Sequence, residues 1–489
     1  MKKENKALII QIISTFIILI IFGILWKNGS IDRLRDYVNH TTLFLIIVTF
    51  LSIVFYCSKC SLKNFVYSTM LIVVIAIIII LGDYQYSPID EAAHIDYINY
   101  ISQNNELPTM YTDADNDFLF NINQSKDLVN CRRYEAVQVP LYYVLMSCLT
   151  RFIPSLYVQF IFARFFGLVC FILTLFIAKK TLDLLRKHKI IKPNNYSLLL
   201  LLIIFNAGIM YRFIHASNEC LAVVFADLVI YFAIKLLLEA FNYKDWIIGF
   251  ICALGLFYTK STGALLIVAI LFVLLYQKKI LLFFTTGIMY SIMAIPWFYR
   301  NIKLYGTLSG MNIHEEIVLP ITNPNRKSVD LIHFAFELFN NSYFISEESF
   351  TRDNNLVVGL CYFFNVMIWL ILILAVFYVF RFIVHIVKNK LEYTYSIFEK
   401  RNVILTMSVA LVFLQIILLA YSAYTSKLTT LISRYMYLVS IPLLLIIILM
   451  LDKITIKKYF QGVLSVYSAC TYLIVIEYSI NEIYQLVLG

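Results

Sequence analysis

The run TMLIVVIAIIIILG, residues 69–82, contains no charged side chain, and stretches of the same kind recur along all 489 residues. Apolar runs of about 17 to 25 residues match the thickness of a bilayer. Within hydrocarbon each must satisfy its own backbone N–H and C=O groups, which a helix does unaided. A membrane barrel would instead alternate apolar and polar positions. Composition agrees, with 61% of residues hydrophobic and 14% charged, where a soluble domain carries about a quarter charged. The sequence therefore predicts an all-α fold: a polytopic helical membrane protein with about 13 crossings, plus or minus one.

Charge sets the expected orientation. The formal net charge is +10, and the basic residues gather in short loops, the positive-inside pattern rather than a nucleic-acid surface. Nucleic acid is not an expected partner; the lipid bilayer is. The start MKKENK precedes a long apolar run with no small-residue cleavage site, which reads as a retained first helix. Helices near 7–26, 42–57 and 64–82 then lead to an outer loop, 83–135, with ten acidic and three basic side chains. The basic stretches 178–192, 276–279, 381–390 with 399–401, and 452–458 fall on the cytoplasmic side. HASNE (215–219), TKSTG (259–263), 299–355 and 423–434 fall outside.

The chain divides into five segments: an N-terminal three-helix membrane segment over residues 1–82, the acidic outer loop 83–135, a central bundle 136–298, a second outer loop 299–355 and a C-terminal bundle 356–489. One stretch conflicts with the loop charges. Two candidate helices, 136–153 and 157–178, precede a basic loop that calls for an odd number of crossings. Either the first, stopped by Pro154, is short or interfacial, or the charge signal misleads there. In the second outer loop, Val329, Ile332, Phe336 and Phe339 have the spacing of an amphipathic helix on the membrane surface.

The most charged exit from a helix is SPIDEAAHIDYI, residues 87–98. Pro88 suits the first turn of a helix and Ser87 its cap, and Asp90 sits three residues after Ser87, so the stretch reads as a helix start. On such a helix Asp90 and His94 share a face directed along the membrane surface, while Ala92, Ile95, Ile98 and Ile101 form an apolar one. A cap needs one carboxylate, not an Asp-Glu pair with a histidine one turn on. Such a group can take a proton from a hydroxyl or hold a divalent cation, so a cation at Asp90 and Glu91 is a further expectation. Other polar groups lie on the same expected side: Asn218 and Glu219, Lys260 between apolar helices, Arg300 after IPWF, and Arg434. Arg300 and Arg434 also suit helix ends that snorkel. A lysine at the depth of Lys260 costs about 2.5 to 3.5 kcal/mol on insertion scales and usually has a partner or a task.

Two weaker patterns are read as inert. Cys57 and Cys60 form a CxxC with no second pair. DADND (113–117) has Phe118 where a calcium loop needs glycine and Gln124 where it needs glutamate.

Taken in order, PIDEAAHIDYINYISQNNELP, YEAVQVPLYY, SNE, TKSTGAL, WFYRNIKLYG and RYMYLVSIP resemble the GT-C superfamily of integral membrane glycosyltransferases. The likeness is to the bacterial branch similar to protein mannosyltransferases and lipid A aminoarabinose transferases. It spans about residues 83–445. Three helices instead of one precede the acidic loop, and VQVPLYY has one proline where the family commonly has two. The resemblance implies amphipathic helices in two outer loops and a sugar donor on polyprenyl phosphate, used on the extracytoplasmic face. The acceptor would be a glycan, lipid or protein. It implies that Asp90 is the base, with Glu91 orienting it or sharing a metal, and that the anomeric centre inverts. His94, Asn218, Glu219, Lys260, Arg300 and Arg434 would bind substrate, the three cations meeting the leaving phosphate. Two other readings stand beside it. A lipid-linked glycan polymerase or ligase would share this composition. A flippase would show broken mid-membrane helices and an internal repeat.

Overall fold

The structure, a computed structural model, describes residues 69–70, 73, 76–77, 80, 91–113, 133–192, 210, 212–310, 312–313, 355–388, 397–425 and 436–451. Every regular element among them is helical. In chain order these are α1 (Glu91–Asn104), a 3₁₀ turn (Tyr134–Val137), α2 (Leu141–Thr150), α3 (Leu156–Lys187), α4 (Glu219–Leu238) and α5 (Tyr243–Thr259). A 3₁₀ segment (Ser261–Leu266) leads into α6 (Ile267–Tyr276) and α7 (Ile280–Tyr305). Then come α8 (Asn355–Lys388), α9 (Ile397–Thr425), a 3₁₀ turn (Met436–Val439) and α10 (Ser440–Leu451).

Five described helices, the spans beginning at Leu156, Glu219, Ile280, Val366 and Glu399, are long and apolar enough to cross a membrane. The chain is a multi-pass helical membrane protein. The expected helices before residue 69, the CxxC pair, Asp115 and Asp117, the amphipathic stretch 329–339 and the last basic loop lie outside the described residues. The expected count of about 13 crossings extends over those same residues.

Local chemistry fixes several helix ends. Ser155 caps α3 by accepting from the Val158 N–H, and Arg186 and Lys187 occupy its last turn, where carbonyls lie unpaired. Asn242 caps α5 by accepting from the Lys244 N–H at 2.9 Å. Gly306, with φ of 74°, takes the left-handed turn that closes α7.

The helix α4 is the centre of the bundle: 67% of its apolar window is buried, against 22% for α7, whose Leu281, Phe284, Ile288 and Ile292 face outward. It packs against α3, α5, α6 and α10. At its C-terminal end Lys187 of α3 pairs with Glu239 at 2.8 Å, and Lys235 pairs with Asp245 at 2.8 Å. Gln277 and Lys400 donate to the Leu236 and Leu238 carbonyls. Three basic segments expected on one side, the ends of α3 and α6 and the start of α9, thus share one end of the bundle. The opposite end holds Asn218, Thr259, Lys260 and Glu91.

The helix α2 bears on the crossing conflict. Its 10 residues span roughly 15 Å at 1.5 Å per residue, half of a hydrocarbon core of about 30 Å. Of the two readings of 136–153, the short helix is the one found.

Candidate active site

Glu91 opens the described portion of α1 with no exposed surface, and the apolar helix α3 sends Arg164, 1% exposed, to meet it. The guanidinium donates through Nε to Oε1 at 2.9 Å and through Nη2 to Oε2 at 2.8 Å. The Ala216 N–H adds a third bond to Oε1 at 2.6 Å. Burial alone would raise this carboxyl. Arg164, with His215 and the Ala216 amide, outweighs burial and holds it at about 2, against an ordinary 4.5. Phe160 lies beneath the guanidinium, 4.1 Å from ring centroid to Cζ.

Three residues beyond Glu91, His94 is buried too. Its Nδ1 pairs with the Tyr143 hydroxyl at 2.8 Å and stands 3.8 Å from Glu135 Oε2. Tyr97 stacks on Tyr143 at 3.9 Å and donates to the Gln138 carbonyl at 3.4 Å. Burial pushes the Tyr97 phenol up, with Tyr305 and Glu135 adding to the shift and Arg300 opposing it. On the next turn Asp96 accepts from Arg133 Nε at 2.8 Å and Nη2 at 3.2 Å. The polar side of α1 was expected to look along the membrane surface. It is instead buried, because α2, the Tyr134–Val137 turn and Arg133 cover it. Apolar periodicity located the helix correctly but says nothing of what covers its polar side.

Gln138 links this group to the start of α4. Asn218 Nδ2 donates to Gln138 Oε1 at 3.4 Å and to the Thr259 carbonyl at 3.1 Å. One residue on, Glu219 accepts from Lys260 Nζ at 2.8 Å, both side chains nearly enclosed. The lysine expected to need a partner at this depth has one. Arg300, near the end of α7, donates through Nη2 to the Pro108 carbonyl at 2.6 Å and lies 4.7 Å over the Trp297 ring. Trp297 is buried in the core of the bundle, with the Arg300 guanidinium over its ring.

Of the eight candidate residues, Glu91, His94, Asn218, Glu219, Lys260 and Arg300 are described and lie at this end. Arg300 touches Pro108 rather than the Lys260–Glu219 pair. Asp90 and Arg434 lie outside the described residues. Arg164, Glu135, Gln138, Tyr143 and the Asp96–Arg133 pair were not anticipated. Arg164 carried the same signal as Lys260, a lone cation inside an apolar run.

The expected cation site does not fit Glu91. Both of its oxygens are bound by a guanidinium and an amide N–H, a donor set that repels a divalent ion. No group of three His, Cys, Asp or Glu suited to a metal occurs among the described residues.

No family model matches the chain, and no curated protein matches it. Among solved structures, the chain is similar to ArnT from Cupriavidus metallidurans, in a crystal structure bound to undecaprenyl phosphate. The TM-score is 0.38 at 12% identity, over 82% of this chain and 62% of that one, so the chain spans less than two thirds of that protein's length.

Proposed function

We propose that the chain is a membrane glycosyltransferase that moves a sugar from a polyprenyl-phosphate donor to an acceptor hydroxyl at the Glu91 end of the bundle. The observation that carries this reading is convergence. Residues from the first outer loop, the α4 entry, the α5 exit and the α7 exit, as far apart in sequence as Glu91 and Arg300, gather at one end. These are the segments that carry the ordered motifs of the GT-C resemblance. A chain that needed only anchored helix ends would have no reason to bury an Asn, two carboxylates, a lysine and a histidine together.

In the proposed step the acceptor oxygen attacks the anomeric carbon and its proton passes to Asp90. The bond from that carbon to the phosphate oxygen breaks, and the electron pair leaves with the lipid phosphate. Direct displacement inverts the anomeric centre. Negative charge grows on the phosphate as the bond breaks, so a fixed cation stabilises the transition state more than the bound donor. Lys260, held by Glu219, and Arg300, held over Trp297, are cations of that kind. Arg434 is the third candidate. Glu91 takes no proton, since Arg164 keeps it ionised; its role is to fix the start of α1 and so to orient Asp90. The extracytoplasmic face is the proposed side, where nucleotide sugars are absent and a lipid carrier is needed.

The test compares membranes with and without the protein for mass added to lipid-linked, glycan and protein acceptors. One hexose-sized or pentose-sized increment, lost in Asp90→Asn at matched expression, is the expected result. Increments of whole oligosaccharides would favour a polymerase or ligase, and undiminished transfer by Asp90→Asn would remove the base.

A further inference from the structure

Arg164 stands in an otherwise apolar stretch of α3, where a charge is expensive and tends to mark a task. Its guanidinium uses two donors on the two oxygens of Glu91, and the third ligand of that carboxylate is the Ala216 amide. One side chain therefore ties together three segments: α3, the start of α1 directly after Asp90, and the turn that enters α4 two residues before Asn218. Gly167, one turn beyond Arg164, lets that turn approach. A Cβ there would lie 1.8 Å from the Phe213 carbonyl oxygen and 3.7 Å from that of His215. We infer that Arg164 is a positioning residue of the transfer reaction, fixing the start of α1 against the Asn218, Glu219 and Lys260 group by way of Glu91.

The inference rests on the transferase reading. A plain structural role is the competing account, and general energetics argue against it. A buried ion pair is a poor device for stability, because desolvating two charges offsets their attraction. Replacing such a pair by apolar residues of similar volume is often neutral or stabilising. What an apolar pair cannot do is hold a carboxylate in one orientation through two parallel hydrogen bonds, as a planar guanidinium does.

The experiment uses the full-length protein in nanodiscs. Arg164→Lys keeps the charge and leaves Glu91 in place but loses the paired geometry. Glu91→Leu combined with Arg164→Met removes both charges together. The expected result is that both variants melt within a few degrees of wild type while kcat falls at least tenfold. The donor KM should stay within about twofold, since the cations that meet phosphate are untouched. A bare loss of folded protein lowers apparent kcat only through active fraction, which counting folded molecules corrects. Wild-type kcat in a folded Arg164→Lys overturns the inference. If neither variant folds, the pair is a folding element only, and the inference is likewise overturned. If one folds, its kcat decides. Wild-type protein that transfers no sugar from any polyprenyl-phosphate donor would sink the underlying reading instead, so the two failures are distinct.

Discussion

Glu91 has no exposed surface, so its charge survives only because Arg164 and the Ala216 N–H replace the water it lost. The direction of its shift fixes a pH signature. A carboxyl held at about 2 in the folded chain, against 4.5 ordinarily, binds its proton more readily in the unfolded chain. The pair's contribution is therefore complete above about pH 4.5 and is lost as pH falls towards about 2. Glu91→Gln leaves Arg164 as a buried charge without its ion-pair partner, a change that costs about 3 to 5 kcal/mol. Melting curves of Glu91→Gln and wild type should differ by a constant gap from about pH 8 to pH 5. The gap should narrow only on further acidification, as wild type too becomes protonated at this position. A gap that already changes between pH 8 and 6 would mean that Glu91 titrates near neutrality, and the ion pair described above could not be its environment.

Elements place these side chains, and the contact between α3 and the turn before α4 is the tightest backbone approach among the described glycines. At Gly167 a methyl group would overlap the Phe213 carbonyl, whereas at Gly287 of α7 nothing lies within 4 Å. Gly167→Ala should lower stability by about 1 to 3 kcal/mol, the usual range for an added group in a packed site. Gly287→Ala should leave stability unchanged or raise it by up to about 1 kcal/mol through helix propensity. Thermal melts of the two variants in the same nanodiscs compare them directly, and equal melting temperatures would contradict the close approach. Elements are also where the sequence was most and least legible. Hydropathy located α3, and loop charge placed its basic end beside the end of α6 and the start of α9, since both signals are local. Lys260 announced its need for a partner by its depth. Glu219 as that partner, 41 residues away, and Arg164 as the partner of Glu91, 73 residues away, depend on how helices pack, which periodicity does not encode. The buried polar side of α1 was illegible for the same reason: its cover comes from Glu135, Gln138 and Tyr143, on elements that follow it in the chain.

For the whole molecule, the decisive property is that its two ends differ. One end pairs Lys187 with Glu239, satisfies helix carbonyls with Lys400 and Arg401, and presents Lys189 and Lys278 in left-handed turns. The other gathers carboxylates, amides and enclosed cations between α1 and the ends of α5 and α7. In a bilayer, orientation follows the count of lysine and arginine in short loops, so the first end should face the cytoplasm and the second the opposite side. A glycosyltransferase fed by a polyprenyl-phosphate sugar requires this sense, because its donor is presented where nucleotide sugars are not. Single cysteines at Asn105, Leu308, Lys189 and Lys278, all exposed, in a chain whose own cysteines are replaced, report it with an impermeant thiol reagent. Intact cells should label Asn105 and Leu308 and spare Lys189 and Lys278; inverted vesicles should do the reverse. Labelling of Asn105 and Leu308 from opposite sides would separate α1 from the α7 exit and break the Arg300–Pro108 contact on which the shared site depends. Labelling of both from the cytoplasm would keep the site intact but deny it a donor on the far face, and the lipid-carrier chemistry would then have to give way to a nucleotide-sugar donor.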